Sequence, residues 1–351
     1  MKRSFLSFLV IGVLFINTNC KNNNGELNYE EPCFPQVINL ETKNLNDSFL
    51  FSSGDVEVVD SLIICSGMVD VSEKAFHLFS KNSGRYITSF GNIGRSRGEI
   101  SQPWRSFTVD KQQRTIYVFD SPQQKVVSYS LDKVIAGKID YSKEISLPCL
   151  VNNISSHHFK YLRNSFLVGY TLYDRFLVCS ETDSITSSNF FPKLHEPEGY
   201  LQVEHQYYFY LGCMAVKPDG NMFVHATRGG CVFEIWNNDG TTISPKIIKG
   251  FFKPNYNSSY REYKYPMVMA NEDDHFGIGA LYCTNDYIYA NYYNNSSEMP
   301  NQIAVFDWKG LPQKMYVTDR SIISFAVEEQ KVYALALNDE TKNIELISFS
   351  L

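Results

Sequence analysis

The sequence predicts an all-β fold: a six-bladed β-propeller of four-stranded antiparallel blades, its ring closed by an N-terminal strand. Three observations support this. One strand pattern recurs six times along the 351 residues. Apolar and polar residues alternate with the period of two that a half-buried strand requires, as in TIYVFD from Thr115 and KVYALAL from Lys331. Turn signals of the Asp-Gly type, KPDG from Lys217 and NNDG from Asn237, lie between the runs. A three- or four-strand unit repeating about every 54 residues is the signature of small sheets arrayed in a closed ring.

The chain opens with Lys2 and Arg3 before the apolar stretch Phe5–Ile16, which is too short to span a bilayer and reads as an export signal. Cys20 follows, then KNNNGELNYEE. The arrangement resembles a bacterial lipoprotein signal, in which Cys20 would become the lipidated first residue. Asn17 and Asn19 depart from that pattern, which carries a Leu-like residue and a small one at these places. The division expected is residues 1–19 as signal, 20–32 as a polar tether and 33–351 as the propeller. Lipidation would be the protein's only hold on a membrane, and more than one acyl chain is needed to anchor it stably.

The six copies begin at Ser53, Phe107, Phe159, Met214, Ala280 and Ile323. Each supplies strands a, b and c, from axis to rim. Fourth strands are expected at Arg85–Phe90, Lys143–Leu147, Thr186–Phe191, Ile243–Lys249 and Gln313–Thr318. The sixth copy ends at Leu351 without one, and Pro35–Glu41 (PQVINLE) is a strand without a blade. The sequence therefore predicts that Pro35–Glu41 completes the last blade and leaves no long unpaired edge.

The stretch from Gly91, GNIGRSRGEISQPWRSFTVDKQQRTIYVFD, resembles the blade signature of TolB-like six-bladed propeller lipoproteins of Bacteroidetes-type bacteria. It keeps Gly91, Gly94, Gly98, Glu99, Pro103, Val109, Asp110, Tyr117, Val118 and Asp120. The resemblance implies an envelope lipoprotein and no particular activity.

Composition narrows the partners. A net charge of -6 and a pI near 5.7 argue against nucleic acid. With Cys20 set aside, seven cysteines remain and no CxxC occurs, so zinc and redox motifs lack support. Cys213 and Cys231 flank neighbouring strands of the fourth copy closely enough for a bridge to be conceivable.

Polar chemistry concentrates in the long loops between one copy and the next, which a propeller gathers on one face around its axis. Five of the seven histidines fall there: His157, His158, His195, His205 and His275. The expected ligand-binding residues are Trp104, Arg105, His158, His205, Tyr207 and His275, which combine aromatic surface with titratable groups. Other candidates have bland counterparts. NEDDHFG (Asn271–Gly277) offers oxygen ligands that could hold calcium, or is a solvated acidic loop. HEPEGYLQVEH (His195–His205) matches no metal-ligand spacing. Tyr207–Tyr210 could form a binding surface or the loop's own packing, and GRSRGE (Gly94–Glu99) an anion site or a structural turn. No GxSxG, HExxH or Walker loop is present. The first strands, among them VEVVD and FKYL, carry only scattered acids. The expected function is a monomeric envelope binding protein for a glycan, peptide or protein partner, with no assigned catalytic residue, metal or cofactor. The alternative is a propeller lyase or hydrolase using top-face histidines and acids, with or without a divalent metal ion.

Overall fold

The structure, a computed structural model, describes residues 27–51, 53–67, 73–101, 107–138, 140–147, 158–169, 174–192, 210–253, 256–258, 268–270, 276–296 and 298–351. Six antiparallel sheets surround one axis. Blade one comprises Val56–Val59, Leu62–Ser66, Lys74–Ser80 and Tyr86–Asn92. Blade two comprises Phe107–Asp110, Thr115–Asp120, Lys125–Ser130 and Lys143–Ser146. Blade three is His158–Leu162, Ser165–Gly169, Phe176–Cys179 and Ser184–Ser188. Blade four is Gly212–Val216, Met222–Thr227, Cys231–Asn238 and Ile243–Phe252. Blade five is Phe276–Cys283, Tyr287–Ser296, Gln302–Asp307 and Pro312–Thr318. Blade six takes Ser321–Glu328, Lys331–Leu337 and Ile344–Ser350 from the C-terminus.

Closure of the ring differs from the sequence expectation by one strand. The segment that pairs with Ile344–Ser350 and completes blade six is Lys43–Phe51, not Pro35–Glu41. Val37–Leu40 instead lies parallel to Pro312–Thr318 as a fifth strand on blade five. An N-terminal strand does close the ring, but the clean alternation of Pro35–Glu41 marks an edge. Val37 is 63% exposed, so that strand covers blade five with one face only. Lys43–Phe51 escapes a pattern search because two register shifts interrupt its pairing. Polar side chains hold it in place. Asn44 Nδ2 donates to Glu345 Oε2 at 3.0 Å and Asn46 Nδ2 to the Gly84 carbonyl at 2.8 Å. At its end Phe51 is buried beside Phe79 and His77, at 6.2 and 5.9 Å between ring centroids.

Each blade is apolar on both faces, and the buried side chains form clusters at the junctions of neighbouring blades. One lies between blades one and two, around Phe76, Phe90, Phe107 and Tyr129. Others lie between two and three, three and four, and four and five. The cluster at the closure joins blades five, six and one. Blade two also carries a short helix that sequence periodicity missed, Leu131–Ile135. Its N-cap Ser130 accepts from the Lys133 amide, and Leu131 and Val134 are buried at the junction with blade one.

The Gly-rich motif before blade two is structural. Asp120 accepts from the Ser101 amide at 2.7 Å, from Ser101 Oγ at 2.6 Å and from Gln123 Nε2 at 2.8 Å. Glu99 accepts from the Ser96 amide, and Glu144 from the Gly98 amide and from Lys125 Nζ. Gly98 has φ +74°, and a Cβ there would lie 2.0 Å from the Tyr141 ring, so no other residue fits. These contacts favour the structural reading of GRSRGE over an anion site.

Closure through Lys43–Phe51 makes a testable distinction. Phe51→Ala should cost about 3–5 kcal/mol, as for other buried phenylalanines, whereas Val37→Ala should stay within about 0.5 kcal/mol. Urea unfolding of the two variants measures both, and the opposite ranking would return the closing role to the first strand.

Candidate functional site

Because every first strand starts at the same face and runs down the axis, six strands from distant parts of the chain line one channel. A cavity of about 540 Å³ occupies it, walled by residues from all six blades. Blade one contributes Asp55, Val56 and Glu57, blade two Phe107 and Ser121, and blade three His158, Phe159 and Lys160. Blade four adds Gly212–Met214 and Arg228, blade five Ile278–Tyr282, Asn291 and Tyr293, and blade six Ile323–Phe325. At the lower end Lys111 Nζ donates to Tyr282 Oη at 2.8 Å and sits 5.5 Å from its ring. Burial, with smaller contributions from the negative Glu57 and Glu328, pushes the Tyr282 phenol well above its ordinary range.

The cavity wall is polar in specific places. Period-two alternation turns Asp55 and Glu57 to one side of their strand, and likewise His158 and Lys160. Asn291 Nδ2 donates to the Ile322 carbonyl at 2.7 Å, while its Oδ1 is a buried acceptor with no partner. At the rim the Arg228 guanidinium lies 4.7 Å from the Phe276 ring centroid.

A second polar cluster lies outside this cavity, between blades three and four. Arg175, His225 and Glu234 are buried, with side chains 0% exposed in both ion pairs. Arg175 forks onto Glu234, donating to Oε1 at 3.0 Å and also to Oε2, and its Nη1 reaches the Phe190 carbonyl at 3.0 Å. His225 Nδ1 is 2.9 Å from Glu234 Oε2. The rings of Phe176, Phe191, Tyr210 and Trp236 surround the guanidinium at 4.7–5.8 Å. Burial favours the neutral Glu234, yet the adjacent Arg175 and the His225 hydrogen bond outweigh it and hold the carboxyl below its ordinary range. For His225 burial dominates and lowers the imidazole.

Of the residues singled out in the sequence, His158 is in the cavity wall. Trp104, Arg105, His205, Tyr207, His275 and Cys20 lie outside the described residues, as do His157, His195–His205 and Asn271–His275. Tyr210 is described and is buried packing: its hydroxyl donates to the Pro192 carbonyl. Among the described residues no three His, Cys, Asp or Glu side chains gather as a metal site. The conceivable Cys213–Cys231 bridge is not formed. Strand register explains this. Cys213 pairs with Ala226 and Cys231 with Phe252, and Cys213 Sγ rests 3.8 Å from the carbonyls of Ala226 and Ile278. Sequence reading missed Asp55, Glu57, Lys160, Arg228 and Asn291. For Asp55, Glu57 and Lys160 the available signal was charge at alternate positions of the first strands.

A ring of six blades around a polar axial cavity is a class shared by many proteins. Residues 33–330 match the TolB-like 6-blade propeller-like family, and the chain belongs to that family. Solved structures share the fold. A Bacteroides fragilis NCTC 9343 protein described as exported is 16% identical at TM-score 0.53, over 92% of this chain and 98% of that one. A member of the duf4221 family from Bacteroides vulgatus ATCC 8482 is 8% identical at TM-score 0.54, over 89% and 95%. A luciferin-regenerating enzyme is 10% identical at TM-score 0.51, over the same shares. No curated protein matches the sequence.

The buried cluster gives stability a direction with pH. His225 titrates below its ordinary 6.5 in the folded state, so on acidification the unfolded chain binds the proton first. Its contribution is present above pH 6.5 and is lost as pH falls toward the folded value. His77, held by Ser89 Oγ and the Gly67 carbonyl, is lowered by burial and acts in the same direction. Glu234, below its ordinary 4.5, adds a second loss at lower pH. Urea midpoints should therefore fall between pH 7 and 5.5, and His225→Gln should flatten part of that fall. An unchanged slope in the variant would remove His225 from the account.

Proposed function

We propose that the protein is an exported, lipid-anchored binding protein that takes a small polar ligand, or the end of a glycan or peptide chain, in its axial cavity. The observation that carries this reading is the cavity itself. At about 540 Å³ it falls within the range of small-molecule sites, about 300–1,000 Å³. Its walls mix apolar strand residues with a few convergent charges, the usual composition of a binding site. An enzymatic reading would call for a histidine within hydrogen-bond reach of a carboxylate in the same cavity. The His225–Glu234 pair has that contact, but it is buried against Arg175 and is no part of the cavity wall.

Export and anchoring are supported by Lys2, Arg3, the apolar Phe5–Ile16 and Cys20, and by the description of the Bacteroides fragilis neighbour as exported. Cys20→Ser should shift the protein from the membrane fraction to the soluble fraction and abolish incorporation of labelled fatty acid. Label retained by that variant would place the modification elsewhere.

Ligand binding is tested by thermal shift against mono- and oligosaccharides, short peptides and divalent cations, since whatever binds the folded state stabilises it. Ala280 lines the cavity opposite Asn291 in the strand register. Ala280→Trp should fill the channel and abolish the shift produced by any compound that stabilises the parent. Equal shifts in parent and variant would move the site away from the axis.

A further inference from the structure

We propose that the ligand of this cavity is a zwitterion, a free amino acid or short peptide with both termini uncapped; this rests on the reading of the cavity as a binding site. The polar groups of the wall are sorted by side. Asp55 and Glu57 stand on blade one. His158 and Lys160 stand on blade three and Arg228 on blade four. In a ring of six, blade four faces blade one across the axis, and blade three is its neighbour. One side of the cavity is therefore acidic, and the opposite side basic.

The fold does not neutralise these charges. Among the described residues no ion pair involves Asp55, Glu57, Lys160 or Arg228, whereas Lys81, Lys125, Arg175 and Arg320 each hold a carboxylate. Each opposed group is carried by a rigid strand or strand end, so the two halves cannot collapse together. A neutral saccharide would enclose both sets of charges without compensating either. An anion would satisfy only the basic half. A molecule with an ammonium at one end and a carboxylate at the other satisfies both. The ammonium finds Asp55 and Glu57. The carboxylate finds Lys160 and the Arg228 fork, whose geometry suits two parallel hydrogen bonds. Asp55 and His158 form an upper tier, and Glu57 and Lys160, two residues further along the same strands, a lower one.

The test uses mixed-sequence di- and tripeptides with free termini, the same mixtures N-acetylated or C-amidated, and maltotriose as a neutral probe. Titration calorimetry should show binding of the free peptides, weakened at least tenfold by either cap. Asp55→Asn combined with Glu57→Gln should weaken the free peptides and remove the penalty for acetylation. Lys160→Met should do the same for amidation. That exchange of penalties separates direct recognition from general damage to the fold. Capped peptides binding as tightly as free ones would overturn the inference. So would maltotriose binding that Ala280→Trp abolishes while free peptides do not bind; in that case the cavity remains a binding site for another ligand class.

Discussion

A blade of this protein is apolar on both faces, so the array is stable only if it has no first and last member. Everything else depends on that constraint. An open ring of six would expose two apolar faces at once, together with the hydrogen-bonding edge of blade six. Closure is made by a belt rather than by one strand. Glu30 donates its amide to the Gly250 carbonyl of blade four at 2.8 Å, and Tyr29 forms a bridge with Gly250. Phe34 packs edge-on against Phe306 and Tyr292 of blade five at 5.5 and 6.1 Å. Val37–Leu40 then extends blade five, and Lys43–Phe51 enters blade six. The first described residues thus tie three consecutive blades together before the first complete blade begins.

The buried Arg175–Glu234–His225 cluster solves a second problem of the ring, the passage from blade three to blade four. Phe190 and Pro192 on one side and Tyr210 on the other are tied to the same group, through Arg175 Nη1, the Tyr210 hydroxyl and the ring contacts on the guanidinium. Both feet of the connecting segment are therefore fixed at one point. A buried ion pair adds little net stability over an apolar replacement, but removing one partner costs about 3–5 kcal/mol. The arrangement is better understood as specifying the path of the chain than as strengthening the core.

Fold and site were legible to different degrees for the same physical reason. Period-two alternation and Asp-Gly turns report burial on a pleated sheet, and they located the blades and five of the six outer strands. They do not report strands held by polar contacts, so Lys43–Phe51, with Asn44 and Asn46 bonding to Glu345 and Gly84, was invisible. Nor do they report a five-residue helix such as Leu131–Ile135, too short to show a period of its own. At the candidate site, attention to long loops singled out His158, which the structure puts at the start of a first strand, in the cavity wall. The charges on Glu57 and Lys160 sit inside apolar strands and looked like isolated acids and bases. Their meaning depends on which blades face each other, and that is a property of the closed ring alone.

Many of the described carboxylates have a structural task that can be read from what they touch. Asp110, Asp120, Asp239, Asp307, Glu99 and Glu144 accept backbone amides in turns and loops, where each shapes a local bend. Glu234 and Glu345 hold arginines. Asp55 and Glu57 have neither task among the described contacts and line a space shared with Lys160 and Arg228. Exposing an apolar strand surface to solvent around fixed, uncompensated charges has no structural return. Held apart by a frame that the belt makes rigid, those charges would be pre-organised for the proposed ligand that spans them, and little ordering would remain to oppose its binding.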